Sequence, residues 1–302
     1  MDARFSDADE IGAGTYGTVY KAFDMRLCRH VAIKCVNCEV NGKQRAEALT
    51  SIEKEYKMMT GLQHTNVVSV LDCVSSATTS QIVLEWMPSG SVADIIKRQG
   101  RLHETVAKKF LHDALKGLAY LHSNNIVHRD IKPGNMLVSA DGTVKISDFG
   151  VSKEMSESHS GNTLNLVGTV RYMAPEAIQQ QNTRASDVWG IGCAAIAMLS
   201  GKSPWAEAIS PAKGDAIPLI FHIGNAKPPN HHPLVPQHVS PELRSLLEQC
   251  FAYVAADRPS VSELLTSTYF EKDLNPDCCE SFEAYAQSLK PAVQENEGTA
   301  YT

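Results

Sequence analysis

Asp130, Lys132 and Asn135 fall within one eight-residue stretch, HRDIKPGN over 128–135, and bring a carboxylate, an ammonium and an amide together beside the helix breaker Pro133. A carboxylate accepts the proton of a hydroxyl, an ammonium balances charge on a transferring phosphoryl group, and an amide oxygen is a hard ligand. The stretch that follows, NMLVSADGTVKISD over 135–148, alternates around Asp141-Gly142, a strong short-range hairpin signal. With that two-residue turn, facing residue numbers sum to 283 and Asn135 faces Asp148. Facing Cβ atoms lie about 4.5 to 5.5 Å apart, and an amide oxygen beside a carboxylate at that spacing suits Mg²⁺. Taken alone, the octapeptide also reads as a polar loop satisfied by its own backbone.

Three upstream features narrow the chemistry. Gly12-Ala-Gly14-Thr-Tyr-Gly17 fits G-x-G-x-x-G, but TVYKAF follows with Val19, Tyr20 and Phe23, which is strand sequence. The glycines are therefore expected in a hairpin whose backbone N–H groups approach phosphates, or in a tight turn that binds nothing. Lys34 ends VAIK, where period two puts Ala32 and Lys34 on one face and Val31 and Ile33 on the other. A small residue beside a cation suits a flat apolar ring with a charged tail. Glu55 sits inside an apolar helical stripe, three residues after Ile52 and four before Met59. A partly buried carboxylate left unpaired costs about 3–5 kcal/mol, which favours pairing it with Lys34; the other reading bends Glu55 out to water. A glycine hairpin, a Lys–Glu pair and a facing Asn–Asp pair in one chain point at a nucleoside triphosphate.

These side chains need a scaffold of two characters. The first 85 residues alternate as strands in GTVYKAF, HVAIKCV and QIVLEW, interrupted by one long helix through AEALTSIEKEYKMMTGL. After residue 88 helix dominates, as in ETVAKKFLHDALKGLAYLH, whose Phe110, Leu111, Ala114, Leu115, Leu118 and Leu121 form one stripe. EWMPSGS connects the two parts. KEMSESHSGNTLNLV over 153–167 has no period and reads as a loop, the Pro-rich stretch 204–241 reads as irregular surface, and apolar periodicity is lost from about 271.

At 302 residues, 43% hydrophobic and 21% charged, the chain can bury one large domain or two lobes. A formal net charge of −6 gives no basic face for nucleic acid. No apolar run approaches the roughly 18 residues of a membrane span, and MDARFSDADE has no apolar export core, so a cytoplasmic location is expected. Eight cysteines in that setting read as reduced thiols. Cys35-Val-Asn-Cys38 has redox or half-zinc spacing, but zinc needs a second pair and adjacent Cys278-Cys279 do not supply it. His231, His232 and His238 lie in the Pro-rich loop as ordinary structural histidines.

In this order, from about residue 5 to 270, these residues resemble the signature set of the protein kinase family. Gly12, Gly14, Gly17 and Val19 match its glycine-rich loop, Lys34 its VAIK lysine, Glu55 its helix glutamate and HRDIKPGN its catalytic loop. DFG at 148–150 and APE at 174–176 complete the set. The resemblance implies an α+β fold: a small, mainly antiparallel β lobe with one long helix over 1–87, a larger, mainly α-helical lobe over 88–270, and a C-terminal tail over 271–302. It implies an ATP- and Mg²⁺-dependent enzyme with Asp130 as base, Lys132 on the γ-phosphate, Lys34 on the α- and β-phosphates and Asn135 and Asp148 as metal ligands. Adenine would lie between Ile11, Val19, Ala32 and Leu137, with Leu84 at the back and the backbones of Glu85 and Met87 at the hinge. Met59, Val70, His128 and Phe149 match the apolar spine, Glu176 and Arg258 a buried pair, and Asp187 the anchor of the catalytic loop.

Lys132 and Thr169 resemble their counterparts in serine/threonine kinases. LEWMPSGSVADIIKRQG, GTVRYMAPEAI, SGKSPW and PLIFHIGNAKPPN resemble the STE group, in particular MAP kinase kinase kinases. The sequence departs from that subgroup at Pro133-Gly134, where Gly then Ala is frequent, and shows no regulatory region ahead of the kinase-like stretch. The implied partners are a downstream kinase as substrate and an upstream kinase or a regulator acting in trans. Arg129 beside the base implies control by phosphate on the 153–167 loop, with Thr163 and Ser160 ahead of Ser158 and Ser156 as acceptors. A loop needing no modification is the simpler case. A nucleotide-binding scaffold that signals by docking is the alternative to an active enzyme.

Overall fold

The computed structural model describes residues 3–14, 17–37, 56, 59–75, 79–148, 169–207 and 216–271. Strands β1 (Phe5–Gly14), β2 (Gly17–Asp24), β3 (Arg29–Asn37), β4 (Val70–Ser75) and β5 (Thr79–Glu85) form one antiparallel sheet in the order β1-β2-β3-β5-β4. The period-two pattern decides its faces. Val31 and Ile33 on β3 and Val83 on β5 are fully buried with Ala22, while Ala32 and Lys34 alternate onto the less buried face. Of the helix predicted through 46–62, most residues lie outside those described, including Leu49, Ile52 and Glu55; Met59 at its end is buried in the main core.

Beyond Met87 the chain is mainly helical. Helix α1 (Val92–Gln99) starts at Ser91, whose hydroxyl accepts the Asp94 N–H while the Asp94 carboxylate accepts the Ser91 N–H, a reciprocal cap. Helix α2 (Glu104–Ser123) buries the whole predicted stripe from Phe110 to Leu121. Each such leucine contributes about 1.5–3 kcal/mol over an exposed one. A 3₁₀ turn (Pro133–Asn135) leads into the hairpin of β6 (Met136–Val138) and β7 (Val144–Ile146). Then come α3 (Pro175–Ile178), α4 (Arg184–Ser200), α5 (Ile217–Asn225), α6 (Pro241–Cys250), α7 (Val261–Leu265) and α8 (Thr268–Glu271). Helix α4 is buried on all sides from Ser186 to Leu199 and forms the axis of this lobe.

Two expectations are corrected. The Pro-rich stretch 204–241 is not wholly irregular: Pro218 lies in the first turn of α5, where its missing N–H costs nothing, and Leu219 and Ile223 give that helix a buried face. The hairpin register also differs by one. Met136 faces Ile146, Leu137 faces Lys145 and Val138 faces Val144. Gly142, at φ 78°, follows a turn closed by its N–H to Ser139 O at 3.1 Å, and Ser139 N donates to Thr143 O at 3.0 Å. A left-handed glycine after such a turn adds a third loop residue. Asn135 therefore faces Ser147, whose N–H donates to Asn135 O at 2.9 Å, and Asp148 lies one residue beyond.

The two parts are fastened at this hairpin. Val68 N donates to Ile146 O and Ile146 N to Asn66 O, each at 2.9 Å. On the other side of the ribbon Lys145 Nζ meets Glu85 Oε2 at 2.7 Å, and the same carboxylate accepts Ser69 N–H at 2.7 Å.

Candidate active site

The loop carrying Asp130 is set by a buried acid from a distant helix. Asp187, in the first turn of α4, accepts His128 N–H at 2.9 Å and Arg129 N–H at 2.7 Å, and its Oδ2 also meets His122 Nε2 at 2.8 Å. That grip holds Arg129 at φ 69°, a left-handed conformation that a non-glycine residue keeps only when its surroundings fix it. His128 Nδ1 accepts Asp130 N–H at 3.2 Å and its Nε2 meets Ser147 O at 2.9 Å, which assigns the Nε2–H tautomer from the network. Gly190 permits the approach of α4 to this loop, since a Cβ there would lie 2.8 Å from Ile131 Cβ.

Around Asp130 the polar side chains converge. Lys132 Nζ contacts its two carboxylate oxygens at 3.1 and 2.9 Å and also donates to Thr169 Oγ1 at 2.9 Å. Asn135 Nδ2 donates to Asp130 O at 2.8 Å and Oδ2 at 3.1 Å, so its amide nitrogen is committed to Asp130 and its amide oxygen is its acceptor. From the sheet, Lys34 Nζ reaches Asp148 Oδ1 at 2.9 Å across 114 positions of sequence. Asp148 is crowded beneath the sheet yet keeps 53% of its side-chain surface in solvent, and it too has a left-handed backbone, φ 55°. Desolvation in the cleft pushes its carboxyl up; Lys34, then His128 and Lys132, bring it down further, and the balance lies below the ordinary carboxylate range.

Several predicted site residues thus come together: Asp130, Lys132 and Asn135 directly, and Lys34 with Asp148. Asn135 and Asp148 are not cross-strand partners. Each nevertheless supplies hard oxygen of the kind Mg²⁺ takes. Among the residues expected at the adenine site, Val19 pairs with Lys34, Ala32 with Leu84 and Leu137 with Ser91. Glu85 N–H is taken by Ser69 O at 3.0 Å. Gly14 pairs with Gly17, so the glycines do sit in a hairpin, and a Cβ on Gly12 would meet nothing within 4 Å. Glu55, Phe149, Ser156, Ser158, Ser160 and Thr163 lie outside the described residues, and with them the Lys34–Glu55 pair and the loop acceptors.

Glu176 and Arg258 form the expected pair at 2.6 and 3.0 Å, with the guanidinium 4.9 Å from the Trp189 ring centroid. Burial pushes the Glu176 carboxyl up, but Arg258 outweighs it and the net position is below the usual value. His231 and His238 contact the carbonyl oxygens of Phe251 and Leu199, at 2.8 and 3.1 Å, and His232 stacks on Phe251, as structural histidines do. The sequence reasoning missed His122 and the Glu85–Lys145 clamp. Alternation in β7 does put Lys145 on the less buried face, but no local pattern names a partner 60 positions away.

The sequence profile described as Protein kinase domain matches residues 5–270. The chain belongs to the protein kinase family. It is 35% identical over 268 residues to mitogen-activated protein kinase kinase kinase 2 of Arabidopsis thaliana, covering 87% of this chain and 40% of that protein. It is 37% identical over 261 residues to mitogen-activated protein kinase kinase kinase 3 of Homo sapiens, covering 85% and 40%. A third relative, mitogen-activated protein kinase kinase kinase mkh1 of Cytospora mali, is 35% identical over 271 residues, covering 86% and 14%. The chain therefore spans less than half the length of these relatives. Family and relatives together make it a protein serine/threonine kinase domain with the two-lobed kinase fold, similar to MAP kinase kinase kinases. Among the described residues no helix is long and apolar enough to cross a membrane.

Proposed function

We propose that this kinase domain transfers the γ-phosphoryl group of Mg²⁺-ATP to serine or threonine hydroxyls of a protein, and that the protein is a MAP kinase kinase. The observation that carries the reading is the convergence of Lys132 and Asn135 on Asp130, with Lys132 also held by Thr169. Bound Mg²⁺-ATP supplies the phosphoryl group and the cation that offsets its charge. Asp130 orients the acceptor hydroxyl and takes its proton. Lys132, held between Asp130 and Thr169, places positive charge beside that proton transfer. Lys34 binds the α- and β-phosphates, Asn135 and Asp148 hold the metal, and Ile11, Val19, Ala32, Leu84, Glu85, Met87 and Leu137 seat the adenine. Gly12, Gly14 and Gly17 bring backbone N–H groups over the phosphates.

The lobes are divided at residues 87 and 88 in this reading. Arg129, exposed and fixed through its N–H, is the clamp for a phosphate placed on Thr163 or Ser160 by an upstream kinase or a trans-acting regulator. The thiols of Cys28, Cys35, Cys193 and Cys250 support action in the reducing cytoplasm. A peptide array bearing MAP kinase kinase activation loops, labelled with the chain and Mg²⁺-ATP, tests the substrate. Labelling of those serines and threonines above unrelated peptides supports it; labelling of tyrosine alone, or of unrelated peptides equally, refutes it.

A further inference from the structure

Helix α2 bears Lys108, Lys109, His112 and Lys116 at helical spacing along one side, with Lys116 exposed. Asp113, on the same helix, is buried; it pairs with Lys109 and accepts Val144 N–H at 3.1 Å. Burial and then Lys116 hold the His112 imidazole below its ordinary value, with Lys109 and Lys108 acting the same way against Asp113. Further along, His64 stacks on Tyr120 at 4.9 Å between ring centroids. His64 also belongs to the wall of an open cleft of about 570 Å³ whose other walls include Met59, Leu62, Val70, Leu71 and Lys145. Basic stripe and cleft thus meet at His64, and the cleft walls include none of Asp130, Lys132, Asn135 or Asp148.

The described chain arrives on this stripe. Phe270 of α8 lies 5.4 Å from the His112 ring and Lys108 Nζ lies 5.1 Å from the Tyr269 ring. The sequence that continues from there, EKDLNPDCCESFE over 271–283, has five carboxylates and one lysine. Although the tail has no sustained apolar period, Phe282, Tyr285 and Leu289 recur at three and four. From His112 to Tyr120 is about 12 Å of helix, and the eleven residues from Glu271 to Phe282 span about 16 Å even if helical.

We propose that residues 273–289 of this same chain dock along α2, with Asp277, Glu280 and Glu283 against Lys108 and Lys116, and Phe282 and Tyr285 seated in the cleft. Opposite charge sets the path and aromatic burial anchors it. Met59 and Leu62 follow Glu55 by four and seven residues, so the occupied cleft braces the end of the segment that carries it.

Carbodiimide coupling of the full-length chain, with linked peptides mapped by mass spectrometry, tests this without using activity. The expected product is a Lys116–Glu280 or Lys116–Glu283 link within one chain, in a yield independent of protein concentration. High salt lowers that yield by about fivefold, because exposed charges are screened. Lys108→Glu and Asp277→Lys each lower it, and the two together restore it. Phe282→Ala with Tyr285→Ala also lowers it. Links between chains that grow with concentration would make a second copy the occupant and overturn the proposal. So would Lys116 linking only to carboxylates before residue 272 or to none, and a link that survives loss of both aromatics would remove the cleft as the seat.

Discussion

Asp187 Oδ1 accepts the backbone N–H of Arg129 at 2.7 Å, so a buried carboxylate on the central helix fixes the backbone beside the base. The same group holds His128 N–H and His122, and its loss leaves buried donors without partners. We expect Asp187→Ala to cost about 3–5 kcal/mol in denaturant unfolding. Turnover should fall even at temperatures where the variant is fully folded. Asp187→Asn should keep more stability than Asp187→Ala and still lose turnover, because an amide offers one acceptor oxygen where two are used.

Glu176 and Arg258 tie α3 to the segment after α6, with Arg258 Nε also on Ala252 O at 3.0 Å. Breaking this pair from one side, as in Glu176→Ala, should cost about 3–5 kcal/mol. The pH dependence has a definite sign. Because the folded-state carboxyl sits below its unfolded value, the stabilisation is complete at neutral pH and above, and is lost as pH falls through the acidic range. Urea midpoints at neutral and acidic pH should drop less on acidification for Glu176→Gln than for the natural chain; parallel drops would contradict the assignment.

Thr169 links the segment ahead of APE to the base through Lys132. Thr169→Ala should lower kcat about tenfold to a hundredfold, as small misplacements of catalytic groups do, with KM for ATP little changed. Thr169→Ser should restore most of it. An unchanged kcat for Thr169→Ala would remove this contact from the working site.

The Glu85–Lys145 pair is partly exposed and bridges the hinge strand to the hairpin. Its own contribution to stability should be modest, about 0.5–1.5 kcal/mol in Glu85→Gln, because the Ser69 N–H retains an acceptor. Its positional effect should be larger. KM for ATP rises in Lys145→Met if the clamp holds the hinge carbonyl of Glu85; an unchanged KM would show that the strand is held without it.

Much of this molecule was readable from local pattern. Period two in VAIK assigned Val31 and Ile33 to the buried face and Ala32 and Lys34 to the other, and the α2 stripe named six buried residues. The hairpin around Asp141-Gly142 was readable as a hairpin but not in register, because Asp-Gly serves a two-residue turn and a three-residue loop equally well. In the loop, Ser139 Oγ pairs with Asp141 and accepts Thr143 N–H at 3.0 Å, and this selects the longer form. Helix α5 was hidden because Pro218 marks its first turn rather than its absence. Asp187 with His122, and Glu85 with Lys145, join positions 65 and 60 apart, where only the folded chain brings partners together.

Asp130 as the proton acceptor is the centre of this account, and Asp130→Asn tests it with the least disturbance, since the amide keeps the shape and an acceptor for Lys132 and Asn135. Transfer of labelled phosphate from Mg²⁺-ATP to a serine- and threonine-containing protein should be measured for both chains at matched folding. A fall of about 10²–10⁴-fold is the expected result. Equal incorporation by the two chains would contradict it.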